Sequence, residues 1–94
     1  MVVLRIEHPI TDFETWSAAF ARFGGARRRA GVLSHRVLQP VDDPCAVAVD
    51  LDFATVEAAE AFRSFLRTAV WAVPENSPGL AGDPRAVVLE DRPG

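Results

Sequence analysis

Apolar and polar residues alternate most regularly between residues 45 and 53. Val47, Val49, Leu51 and Phe53 fall on one side and Ala46, Ala48, Asp50 and Asp52 on the other, the period-two signature of a strand with one core face. Residues 32–39 pair with it as a second strand. Leu33, His35, Val37 and Gln39 lie on one face of this strand and Val32, Ser34, Arg36 and Leu38 on the other. Between the two, Pro40 and Pro44 bracket Asp42 and Asp43. Prolines lack the ladder donor and Asp favours turns, so residues 40–44 read as the hairpin connection.

Upstream, residues 2–7 read as a strand with Val2, Leu4 and Ile6 on one face, ended by His8-Pro9. Thr11 and Glu14 have the spacing of a capping box. Behind them Phe13, Trp16, Phe20 and Phe23 fall within an arc of about 80° at 100° per residue, the stripe of an amphipathic helix facing a sheet. Gly24-Gly25 is placed to stop or kink this helix, and residues 26–30 to resume it. Arg27, Arg28 and Arg29 point in three directions there and cannot converge on one phosphate, so they read as a solvated helix end, with an anion or substrate-charge contact as the other reading.

Downstream, Thr55 is the expected N-cap of a second helix whose apolar set is Val56, Ala59, Phe62, Phe65, Leu66, Ala69 and Val70. Trp71 projects onto the polar face of that helix. Either the helix has ended, or a large aromatic is offered to a partner or a pocket. Residues 74–84 hold three prolines and two glycines and read as an irregular loop of the kind that serves as a lid or a dimer arm. A last strand spans 85–91, with Ala86, Val88 and Glu90 on one face.

The order is strand, helix, strand, strand, helix, strand. This predicts an α+β, ferredoxin-like βαββαβ domain over residues 1–94, with a four-stranded antiparallel sheet and two helices on one face. The opposite sheet face then mixes Arg5, Glu7, Arg36, Asp50, Asp52 and Glu90 with Val3, Val32, Ala46, Ala48 and Val88. It is too apolar to stay bare and carries charges that can pair across a two-fold axis, so a homodimer closing two sheets into an α/β barrel is expected.

Composition narrows the chemistry. Net charge is −3 and hydrophobic residues make up 49% of the chain, which fits a globular domain and gives no footprint for nucleic acid or a membrane. Cys45 is the single cysteine, which fits a reducing compartment, and with no apolar leader the chain is expected to be cytoplasmic. Two isolated histidines show no metal-ligand spacing and no glycine-rich phosphate loop is present, so neither metal nor cofactor is expected.

The run from Arg5 to Phe20, with Asp42, Asp43 and Pro44 in the hairpin and residues 57–62 in the second helix, resembles the dimeric α/β-barrel superfamily. The resemblance is nearest to small bacterial proteins named cyclase-like or antibiotic-biosynthesis-monooxygenase-like. It implies a pocket between the sheet and helices of each subunit, in a family of cofactor-free monooxygenases, haem-degrading enzymes, isomerases and plain ligand binders. The candidate pocket residues are Trp16, Phe20, His35, Phe62 and Trp71. His35 is the candidate catalytic base, with a hydrogen-bonded structural histidine as its other reading; His8 reads as a turn or capping residue. The favoured function is a homodimer holding a small apolar or aromatic molecule. The alternative is a cofactor-independent monooxygenase or isomerase/cyclase acting on an aromatic, polyketide-like or quinol substrate. Tyr is absent, so no tyrosine can assist such an oxidation.

Overall fold

Two strands form the middle of the sheet, β1 (Val2–Pro9) and β3 (Ala46–Phe53), with β2 (Ser34–Leu38) outside β3 and β4 (Arg85–Glu90) outside β1. Every pairing is antiparallel. The computed structural model, which describes residues 1–94, places α1 (Phe13–Arg22), α2 (Gly24–Arg29) and α3 (Val56–Phe65) along the chain, with α3 running on into a π-helical turn, Leu66–Val70. This is the ferredoxin-like α+β arrangement that the element order predicts.

Alternation explains the core. Leu4, Ile6, Val47, Val49, Leu51 and Phe53 are all buried on the helix-facing side, where Trp16, Ala59 and Phe62 close over them. Burying a side chain of this size contributes about 1.5–3 kcal/mol relative to leaving it in water. The helices are held by the side-chain caps their sequences supply. Thr55 Oγ1 accepts a hydrogen bond from the Ala58 amide at 3.1 Å, as expected. At α1 the cap is one residue later than the Thr11 capping box suggests: Asp12 Oδ1 accepts from the Thr15 amide at 2.8 Å.

Several local expectations are corrected. β1 does not end at Glu7 but runs through His8 to Pro9. Proline is tolerated at a strand end, where its missing donor breaks no ladder. His8 is therefore no turn residue; it is buried on the core face with Leu4 and Ile6. The glycine pair does not stop α1. The break falls at Phe23, with φ −93° and ψ 11°, and both glycines lie inside α2. Val32 precedes β2 and packs against the core. The last strand has the opposite parity to that expected. Ala86 and Val88 stand opposite Ile6 and Leu4 on the core face, whereas Val87 and Leu89 stand opposite Arg5 and Val3.

The outer face of the sheet is thus Val3, Arg5, Glu7, Arg36, Ala48, Asp50, Asp52, Val87 and Leu89. Asp50 is directly opposite both Arg5 and Arg36 in register. Arg5 grips it with two bonds, Nε to Oδ1 at 2.8 Å and Nη2 to Oδ2 at 2.9 Å, and Arg36 Nη2 adds a longer one at 3.3 Å. The hydrogen bonds from Arg5 hold the Asp50 carboxyl below its ordinary range.

Candidate functional site

Between the sheet and the helices lies a half-open cavity offering about 80 Å³ to the centre of a water-sized sphere. One water needs roughly 10–15 Å³ of such space, so there is room for several waters, and one side of the cavity is open. The sheet supplies its floor through Ile6, His8, Val49 and Leu51.

One wall comes from the aromatic stripe of α1, as Trp16 and Phe20 stack with ring centroids 5.0 Å apart. The stripe continues past the break at Phe23. At 100° per residue, position 27 lies in the middle of the arc set by 16, 20 and 23, and Arg27 turns inward while Arg28 and Arg29 stay exposed. The expectation of a solvated helix end is corrected for Arg27. Its guanidinium carbon lies 3.7 Å from the centroid of the Phe20 ring, and Nη1 donates to the Phe20 carbonyl at 2.6 Å.

The opposite wall is built by α3 and its π turn. The Trp71 amide donates to the carbonyl of Leu66 at 2.7 Å, five residues back, so the turn holds one residue more than an α-helical one. That extra residue rotates Trp71 by about 100° relative to a continuous helix, away from the polar face and onto the cavity beside Phe62 and Leu66. Both readings offered for Trp71 thus meet: the α-helix has ended, and the indole lines a pocket.

The loop 74–84 closes one end. It opens with a 3-10 turn, Pro74–Asn76, and Asn76 Nδ2 caps the Ala69 carbonyl at 2.8 Å. Gly79 then crosses directly over the start of α1 with φ +86°, and Leu80 pairs with Ile10. Asn76, Ser77, Pro78 and Leu80 all line the cavity.

His8 is the titratable group of the floor. Its ring stands 6.1 Å from Trp16, centroid to centroid. Nδ1 lies 2.9 Å from the Pro9 carbonyl. A carbonyl only accepts, so this contact assigns the proton to Nδ1 and leaves the Nε2 lone pair free. Burial pushes the His8 pKa below 6.5, so the ring is neutral near pH 7. Nε2 makes no hydrogen bond within the chain, and no buried side-chain nitrogen or oxygen is sealed without a partner. The ring is therefore a neutral base, not sealed from solvent, among the residues that line the cavity.

Of the residues singled out in the sequence, Trp16, Phe20, Phe62 and Trp71 line this cavity. His35 does not. Its ring packs edge-on against Phe20 at 5.4 Å, but the residue is exposed on β2 and outside the lining. His8 and Arg27 were missed as cavity residues. The signals for them were the alternation of Val2, Leu4 and Ile6 carried on through His8 and Ile10, and the helical stripe carried on through position 27. No group of three or more His, Cys, Asp or Glu is arranged to hold a metal ion, and no helix is long and apolar enough to cross a membrane.

No protein-family model matches the chain, and no curated protein matches it significantly. Solved structures do. A monooxygenase from the ActVA-Orf6 gene of Streptomyces coelicolor, in complex with nanaomycin D, matches with TM-score 0.63 and 23% identity over 99% of this chain and 88% of that one. SnoaB, a cofactor-independent oxygenase from Streptomyces nogalater, matches with TM-score 0.68 and 16% identity over 99% and 94% of the two chains. A further antibiotic biosynthesis monooxygenase gives TM-score 0.66 at 12% identity over 99% and 100%. At these identities the likeness shows a shared fold.

Proposed function

We propose that the cavity binds a small aromatic molecule and that the chain works as a homodimer joined through its outer sheet faces. The observation that carries the binding reading is the lining itself: two facing walls of aromatic side chains, Trp16 and Phe20 against Phe62 and Trp71, with an opening between them. The outer face supports the dimer, because Val3, Ala48, Val87 and Leu89 surround the Arg5–Asp50 pair and need cover that the chain itself does not supply. Native mass spectrometry of gently isolated protein tests both. The expected result is a dimer carrying extra mass that is lost on denaturation. A monomer sinks the sheet-to-sheet assembly, and failure of any flat aromatic to bind sinks the cavity reading.

His8 favours a more specific second reading, cofactor-independent monooxygenation; of the structures with this fold, one is named a monooxygenase and another a cofactor-independent oxygenase. A neutral histidine with one unpartnered ring nitrogen, lining a largely apolar cavity, suits removal of the hydroxyl proton from an anthrone-type enol. The resulting anion supplies the electrons to dioxygen. One oxygen atom becomes the new ring carbonyl and the other leaves as water with the ring hydrogen of the reacting carbon and the proton that His8 gives back, so the reaction needs no other reductant. Dioxygen uptake with dithranol, above its uncatalysed oxidation, is the test. It should fall at least tenfold in a folded His8→Gln variant, and unchanged uptake there would refute the assignment.

A further inference from the structure

We infer that Arg27 is a specificity-determining residue of the cavity, selecting aromatic ligands that carry an anionic oxygen. The inference deepens the aromatic-ligand reading above and rests on it. Arg27 is only 9% exposed, yet it takes part in none of the ion pairs that Arg5, Arg36, Arg63, Arg85 and Arg92 make. The sole hydrogen bond its side chain makes within the chain is the one from Nη1 to the Phe20 carbonyl. The guanidinium has five N–H donors; its unpartnered nitrogens are not sealed against solvent, and the residue lines the cavity.

A buried cation without a counter-ion is costly unless something else satisfies it. The nearest charges make matters worse, because burial first and Arg28 second both push its pKa down. Stacking on Phe20 offsets part of this cost and fixes the guanidinium plane against the aromatic wall. An aromatic ligand lying in the cavity therefore meets a pre-oriented cation at its edge, in surroundings apolar enough to strengthen an ion pair. A carboxylate on the ring and an ionised ring hydroxyl are the two sources of such an oxygen.

Isothermal titration calorimetry with matched pairs tests this: naphthoate against naphthamide for the carboxylate, and lawsone, ionised at neutral pH, against its methyl ether for the hydroxyl. The wild-type chain should bind at least one anion tenfold or more tightly than its neutral partner. Arg27→Met should abolish the preference, and Arg27→Lys should keep part of it. Equal binding of charged and neutral partners by the wild-type chain overturns the inference and leaves the cavity reading standing, and this comparison needs no variant to fold. A preference that survives Arg27→Met also overturns it, in favour of Arg28 or Arg29. No binding of either member of either pair overturns both readings.

Discussion

Gly79 sets the position of the cavity's end wall, and replacing it with alanine separates two costs that usually come together. A Cβ at Gly79 would lie 2.9 Å from the Trp16 amide nitrogen, 3.0 Å from its Cα and 3.1 Å from its Cβ. All three atoms belong to the first turns of α1, so relief requires moving the helix or the loop, and overpacking of this kind costs about 1–3 kcal/mol. The positive φ of 86° adds about 1–2 kcal/mol for an L-residue. Reduced freedom of the unfolded chain returns about 0.4–1 kcal/mol. The net expectation for Gly79→Ala is a loss of about 1–5 kcal/mol, against the roughly 5–14 kcal/mol typical of a domain this long. Gly31 is the internal control. Its φ is +93°, but a Cβ there meets nothing within 4 Å, so Gly31→Ala lacks the overpacking cost and should lose only about 0–1.6 kcal/mol. Urea unfolding of both variants at one protein concentration checks this. Equal losses would refute the argument that the loop is pressed onto the backbone of Trp16.

Two further perturbations follow from the charged groups. Because the His8 pKa is lowered in the folded chain, the unfolded chain binds the extra proton first as pH falls. The stability that neutral His8 contributes is then complete above about pH 6.5 and lost progressively below it; His8→Gln should remove that limb of the stability profile, measured by urea unfolding between pH 7.5 and 5, and an unchanged limb would show that the ring is not buried neutral. Asp50→Asn should destabilise the chain by about 1–2 kcal/mol at pH 7, an estimate reduced for the exposure of both arginines. Since the Asp50 carboxyl is held below its ordinary range, the stability it contributes is present above that range and lost as pH falls through the depressed value, so wild type and variant should converge only in strong acid; a constant difference down to low pH would refute the pairing with Arg5.

The fold was legible because its signals are local and repeated. Val47, Val49, Leu51 and Phe53 can serve only one face, and Thr55 caps the helix that it precedes. The site was legible only in its aromatic part. Trp16 and Phe62 are buried core residues, and a helical wheel finds such residues directly. His8 was masked by its neighbour. Pro9 reads as a strand terminator, whereas here it is the last residue of the strand and its carbonyl orients the histidine ring. Arg27 was masked by its own kind, since three adjacent arginines suggest solvent and only the stripe of 16, 20 and 23 carried on to position 27 singles out the one that turns in. The parity of β4 was not legible either, because Ala86, Val87, Val88 and Leu89 are apolar on both faces and only register against β1 tells them apart.

The orientation of Trp71 is set by counting. Between Thr55 and Trp71 the chain holds a fixed number of residues, one of which is taken up by the π turn at Leu66–Val70. Substitutions in this stretch alter packing but leave that count untouched, whereas a one-residue insertion or deletion turns everything beyond it by about 100°. The cavity wall is therefore exposed to indels that leave every one of its residues in place. Among chains of this fold, the length of the segment between cap and indole should sort the orientation of that indole independently of the identity of the residues within it.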